Sequence, residues 1–193
     1  MNLLHHWILN SNGWKRTVRE EILPWGLAGV DLGDNVLELG PGPGVTTDVL
    51  RQSYGRLTCL EIDAKLADGL RQKFSNGNVQ VVNGDATALP FPDDSFSGAV
   101  AFTMLHHVPS PELQDQILAE VWRVLRPGGV FAGTDSRWRL MMPIVHVFDT
   151  MVLVPPETMA SRLQSAGFID VAVETAKTRF RFQGRKPAIR REN

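Results

Sequence analysis

Cysteine is almost missing from this 193-residue chain: Cys59 is the only one, which excludes an internal disulfide and leaves no thiolate set for a zinc site. An intracellular, cytoplasmic protein that uses no metal is the expectation. Charge of one sign is also lacking. The 20 basic and 21 acidic residues leave a formal net charge of -1, so no global field recruits nucleic acid or an acidic membrane surface. Long hydrophobic runs are absent as well. The opening MNLLHHWILNSNGWK has no basic n-region, and His5, His6 and Asn10 interrupt its apolar residues, so it reads as neither a secretory signal nor a membrane span. Tyrosine occurs once, at Tyr54, and the residue four positions on is Thr58; the Tyr and Lys pair that would run hydride chemistry is not there.

What the chain does have is apolar material, 43% of its residues, enough for the core of one domain. It comes in short runs: 36 to 40, 56 to 62, 79 to 84, 98 to 103 and 129 to 134. Short, branched-rich runs that are apolar on both faces predict buried parallel strands. Between them lie VTTDVLRQSYG, AKLADGLRQKFSNG and PELQDQILAEVWRVLRPGG, the last with Leu113, Ile117, Leu118, Val121, Trp122, Val124 and Leu125 at helical spacing. The alternation predicts a single α/β domain with a doubly wound, mostly parallel sheet, whose ligands sit at the carboxyl ends of the strands.

The stretch VLELGPGPG, 36 to 44, sets a strand against three glycines at alternate positions. Glycine adopts positive φ and offers no Cβ, so this is where the backbone curls and a ligand comes close. Carboxylates gather near the same rim: Glu38 within the first run, Glu61 at the end of the second, Asp85 after the third. Each has a bland alternative as a turn or capping residue; together they converge on one crevice. A nicotinamide dinucleotide site is the first rival, because Glu61 lies 21 positions after Gly40 and that fold carries its ribose acid about 20 residues beyond the glycines. Its G-x-G-x-x-G turn fails, however: the last position by that count is Val45. A P-loop fails too, since no Gly-Lys-Ser/Thr follows.

In this order, VLELGPGPG, LEID, GDATALPFPDDSFSGAVAFTMLHHV and EVWRVLRPGGVF, the chain resembles the class I S-adenosylmethionine-dependent methyltransferases over about half its length, with a core like that of the ubiquinone and menaquinone methyltransferases. The resemblance implies a Rossmann-like, seven-stranded sheet with a short helical N-terminal cap. It also implies S-adenosylmethionine as cofactor, with Glu38, Gly40, Pro41, Gly42 and Gly44 around its amino acid part. Glu61 and Ile62 would then lie at the ribose, Asp85 and Ala86 at the adenine with Leu89 flanking the ring, and Thr103 and Met104 on the floor. Asp63 is a rival to Glu61 for the ribose. The chemistry suits the residue types: a carboxylate accepts two hydrogen bonds from a vicinal diol, and an acceptor beside an exocyclic amine favours adenine.

For the acceptor side, His106 and His107 follow the fourth strand and are candidate general bases, since histidine titrates near neutrality; capping the next turn is the alternative. AFTMLHHVPSP has no Asn/Asp-Pro-Pro-aromatic loop of the kind that nucleic-acid amine methylases carry. A small, apolar, ring-containing acceptor, methylated on oxygen or carbon rather than nitrogen, is therefore the expectation, with no nucleic-acid partner. Two regions could hold it: the cap, 1 to 33, with Trp7 and Trp14, and the segment 135 to 155 after the core of 34 to 134, with Arg137, Trp138, Met141 and Met142. Met-rich apolar surface adapts to irregular ligands. The remainder, 156 to 193, predicts a helix ended by Gly167, two strands in which Phe180 and Phe182 face inward, and a frayed basic tail. A cofactor-binding protein that needs a partner for catalysis is the alternative from another class.

Overall fold

The computed structural model describes residues 11–137 and 151–188. The N-terminal helix starts at α1 (Asn12–Thr17), where the Ser11 hydroxyl accepts from the Trp14 amide at 3.1 Å. It runs through a π-helical turn, Val18–Ile22, into α2 (Leu23–Gly26). Then come β1 (Asn35–Leu39), α3 (Val45–Leu50), β2 (Arg56–Glu61), α4 (Ala64–Lys73), β3 (Val79–Asn83) and β4 (Phe96–Phe102). The chain continues with a 3₁₀ turn (Leu105–His107), α5 (Pro111–Val124), β5 (Leu125–Ser136), α6 (Pro156–Ser165), β6 (Ile169–Thr175) and β7 (Arg179–Arg185).

The seven strands form one sheet in the order β3-β2-β1-β4-β5-β7-β6. The first five are parallel, and β7 runs antiparallel to both β5 and β6. The β1 side chains alternate between two cores: Leu37 and Leu39 pack with Ile117, Leu118 and Val121 of α5 and Met159 and Leu163 of α6, while Val36 packs with Val18, Ile22 and Leu23 of the N-terminal helix and Leu50 of α3. A strand covered on both faces must be apolar on both, which is why these runs lack the alternation of a half-exposed strand. The helices are bounded by their caps. Asp63 accepts from the amides of Lys65 and Leu66 at 2.9 and 3.1 Å to open α4, and the Ser110 hydroxyl accepts from Leu113 to open α5, whose first residue is Pro111.

The expected strand and helix order holds throughout, and Phe180 and Phe182 do face inward. Two expectations are corrected. Helix α5 stops at Val124 and the following strand begins at once at Leu125, paired to Phe96, with an irregularity before Gly98 pairs with Val130. The Pro-Gly-Gly that looks like a helix stop is thus taken up inside a strand segment. The basic tail is also not wholly a tail. Lys186 is buried, and its ammonium donates to Asp94 Oδ1 at 2.7 Å and the Leu125 carbonyl at 2.8 Å and sits 4.2 Å from the centre of the Trp122 ring. Arg190 and Arg191 lie outside the described residues. Replacing Lys186 by Ala orphans these acceptors and should cost on the order of 2 kcal/mol, whereas Arg185→Ala, whose pair with Asp170 is solvent-exposed, should cost under about 1 kcal/mol. Urea unfolding midpoints of the two variants test the difference.

Candidate cofactor crevice and active site

The turn after β1 has Gly40, Gly42 and Gly44 at φ of 60°, 55° and 75°, a region that costs an L-residue about 1 to 2 kcal/mol. The three glycines differ in what surrounds them. A Cβ on Gly40 would lie 2.4 Å from Met104 Cγ and one on Gly44 2.6 Å from Leu70, but one on Gly42 would meet nothing within 4 Å. Two glycines therefore let the fold close, and the middle one faces open space that a ligand can use.

Beneath this turn Glu38 is 1% exposed. Its carboxylate accepts from the hydroxyl of Thr46, from the hydroxyl of Thr47 at 2.7 Å and from the thiol of Cys59 at 3.3 Å. Instead of lining an open surface, it ties the first turn of α3 to β1 and β2. Helix α3 has no side-chain cap at Gly44, so this carboxylate is a main tether of its N-terminal end. Burial pushes the Glu38 carboxyl above its ordinary value, and the three hydrogen bonds pull the other way without cancelling that shift. Burial likewise pushes the Cys59 thiol up, which keeps it a donor.

Glu61, at the end of β2, faces the glycine turn across one hydrogen bond: the Gly42 amide donates to Oε2 at 3.0 Å, and the Asp63 amide donates to Oε1 at 3.0 Å. Each oxygen keeps a second lone-pair direction, so the carboxylate is held in a fixed orientation and can still accept from a diol. Asp63 Oδ1 caps α4 while its side chain is exposed, and Glu61 is 5% exposed. Ile62 follows at 70% exposure, one of two large exposed apolar residues among those described; a flat apolar ring stacked there would cover it. Asn83 was not foreseen. Its amide donates to the carbonyls of Glu61 and Ile62 at 2.8 and 3.0 Å and fixes the exit of β2; its only sequence signal is its position at a strand end.

Asp85 follows β3 on the same rim, since the Gly84 amide donates to the Glu61 carbonyl at 3.1 Å. It is exposed, and Oδ1 accepts from the Thr87 amide at 2.8 Å, a turn that aims the carboxyl. Ala86 is half-buried and packs against the core that includes Leu89, which is 5% exposed. Pro41 is buried within the turn. Thr103 has φ 52° and donates its amide to the Thr134 carbonyl at 2.8 Å, and Met104 abuts Gly40.

The two histidines separate. His106 is 3% exposed, its Nδ1 lies 2.5 Å from Asp135 Oδ1, and its amide donates to Asp135 Oδ2 at 3.1 Å. His107 is half-buried, with its ring centre 4.2 Å from that of His106. Asp135, itself 1% exposed at the end of β5, is a residue that sequence alone passed over, although the rule that picked out Glu61, an acid at the carboxyl end of a strand, applies to it equally. Trp14 is half-buried against the core beside Val18 and Ile22. Arg137 is exposed at the end of β5. Trp7, Trp138, Met141 and Met142 lie outside the described residues. Among the described residues no helix is long and apolar enough to cross a membrane.

A doubly wound sheet with an open glycine turn, a tethered acid at the end of β2 and a second acid after β3 defines a nucleoside-cofactor crevice, and comparison with known proteins names its kind. Residues 37–133 match the methyltransferase-domain family model; the chain belongs to that family. It is 33% identical over 165 residues to a "Probable S-adenosylmethionine-dependent methyltransferase" of Mycolicibacterium smegmatis, covering 83% of this chain and 61% of that protein. A fatty-acid O-methyltransferase of the same organism is 37% identical over 114 residues, 58% of this chain and 40% of its own length. The chloroplastic 2-methyl-6-phytyl-1,4-hydroquinone methyltransferase 1 of Oryza sativa is 28% identical over 90% of this chain and 52% of its own. Ribosomal RNA small subunit methyltransferase A, assigned as probable in Thermococcus onnurineus, is 42% identical but over 31% of this chain and 22% of its own. The chain thus spans at most about three-fifths of these relatives. Among solved structures, a chain of the complex between the Haloferax volcanii Trm112 methyltransferase activator and a methyltransferase superposes with a TM-score of 0.73 at 19% identity, covering 97% of this chain and 99% of that one. S-adenosylmethionine is the cofactor this family and crevice call for.

The Glu38 carboxyl gives a test of the tether. Its folded-state value is raised above 4.5, so the folded chain holds the proton more tightly than the unfolded one, and this contribution is fully present below about pH 4.5 and lost as pH rises through the folded value. Glu38→Gln does not titrate. Melting temperatures measured across that range should therefore shift in favour of the variant as pH rises, and a pH-independent difference would remove the assignment.

Proposed function

We propose that the chain is an S-adenosylmethionine-dependent methyltransferase acting on a small, apolar, ring-containing acceptor at oxygen or carbon. The observation that carries this reading is Glu61, anchored to the Gly42 amide at the mouth of the glycine turn with exposed Ile62 beside it. The acceptor class draws support from the extent of one match: the hydroquinone methyltransferase aligns along 90% of this chain, whereas the ribosomal RNA enzymes of Thermococcus onnurineus and Natronomonas pharaonis align along 31% and 63%.

When bound, the cofactor supplies a methyl group activated by a sulfonium. The chain does the rest. Glu61 accepts from the ribose diol and Asp85 from the adenine amine, Gly42 admits the cofactor against the backbone, and Thr103 and Met104 form the floor. Alignment and close approach can supply much of the rate. Where the acceptor carries a proton, His106 is the base, not His107. Asp135 accepts from Nδ1–H, which sets the lone pair on Nε2, and the buried carboxylate stabilises the imidazolium formed.

A second reading has a specific observation in its favour. The Haloferax volcanii structure matches over nearly the whole of both chains, and that protein is held by an activator. In this reading the chain binds cofactor alone and methylates only with a partner.

Calorimetry with S-adenosylhomocysteine tests the crevice. Glu61→Ala should weaken binding by about 1.5 to 3 kcal/mol, the worth of hydrogen bonds to a charged group, Asp85→Asn should cost less than Asp85→Ala, and NAD should not bind. Unchanged affinity in Glu61→Ala removes the ribose assignment. For the base, His106→Ala and Asp135→Asn should lower kcat with cofactor affinity kept. Variants with full kcat return the pair to a purely structural role.

A further inference from the structure

Beyond the cofactor crevice, the carboxyl end of β5 opens into a cavity of about 350 Å³. One wall is apolar, made by Leu153, Val154 and Pro155; the other side carries Ser136, Arg137 and Lys177. Among the described residues no carboxylate lines it. Neither Arg137 nor Lys177 has an ion-pair partner among the described residues, although seven other arginines do: Arg16, Arg51, Arg71, Arg123, Arg162, Arg181 and Arg185.

Arg137 is tied by backbone bonds to the turn that carries Lys177. The Arg137 guanidinium donates to the Ala176 carbonyl at 2.9 Å, and its amide donates to the Thr178 carbonyl at 3.1 Å. Those two carbonyls flank the exposed Lys177 in the β6 to β7 turn. An anion in the recess can gain charge-assisted hydrogen bonds from both side chains. The lining is also joined to the candidate base. The Ser136 amide donates to the same Asp135 oxygen that meets His106, at 2.6 Å, and the Val152 amide, next to Leu153, donates to the His106 carbonyl at 2.8 Å.

We propose that this recess is the acceptor's anchoring subsite and that the acceptor is an amphiphile with an anionic head, a carboxylate or a phosphate, which Arg137 and Lys177 hold while its apolar body lies along Leu153 to Pro155. The inference rests on the methyl-transfer reading and adds an anionic head to the apolar body of the acceptor proposed above. The anion anchors and does not react, because lone pairs engaged by a guanidinium and an ammonium are poor nucleophiles; the methylated atom lies elsewhere on the molecule, toward His106. Arg suits the task through its planar fork of donors, and Lys adds a movable point charge.

The experiment is a titration of octanoate, octyl phosphate and octanol into the full chain, followed by calorimetry, with and without S-adenosylhomocysteine. Octanoate or octyl phosphate should bind about ten-fold or more tighter than octanol, the worth of a charge-assisted contact, and which of the two binds more tightly reports the head group. Arg137→Ala combined with Lys177→Ala should reduce that preference to within about two-fold, Arg137→Lys should keep most of it, and S-adenosylhomocysteine affinity should be unchanged in all three. Equal binding of octanol and the anions by the wild type, or a preference that survives the double substitution, overturns the proposal. Loss of S-adenosylhomocysteine binding by the wild type would count against the methyl-transfer reading instead, and the anion titration without cofactor would still decide the recess.

Discussion

The buried carboxylate of Glu38 is the constraint on which the cofactor side of the molecule depends. It collects three donors from two places, Thr46 and Thr47 in the first turn of α3 and Cys59 in the middle of β2, and so fixes the turn that joins β1 to α3. The cost is desolvation of a charge-bearing group, visible in its raised proton affinity. A satisfied buried carboxylate holds geometry well because each of its partners would be orphaned by movement. A glycine-rich turn, by contrast, has little stiffness of its own. Its shape is imposed from below.

From that fixed point the parallel register carries the rest. Glu38 pairs with Cys59 and Val100, so β1, β2 and β4 end close to level, and Glu61 and Thr103 emerge on the same rim. The Gly42 amide then closes the circuit by donating to Glu61. On the other half of the sheet β5 continues to Ser136, two residues past the level of Phe102, which pairs with Thr134. That extra length is what lets Asp135 reach His106. The Glu61 side and the His106 side of the rim are thus built on either side of β1 and β4, with Met104 touching Gly40 between them.

Much of this could be seen in the sequence because the physics is local. A glycine at every second position after an apolar run announces a curled backbone, and an acid at the end of a strand in a doubly wound sheet has one rim to stand on. Asp85 and Glu61 fall under that logic. Asp135 and Lys186 do not become visible in the same way. Pro127, Gly128 and Gly129 look like the end of a helix, and only the pairing of Leu125 with Phe96 and Val130 with Gly98 reveals a strand long enough to bring Asp135 to His106. Lys186 lies among basic residues near the end of the chain, and its partners Asp94 and Trp122 are 92 and 64 positions away.

Thr103 leaves the last strand before the histidine turn in a left-handed conformation, φ 52°, that β-branched residues rarely adopt. The surrounding structure holds it there through the Thr134 carbonyl, so roughly 1 kcal/mol or more of folding free energy is stored at that joint. A glycine would relax the joint and make the chain more stable, and it would also let the turn swing. Durability and aim are set against each other at this one residue, and the chain has kept aim.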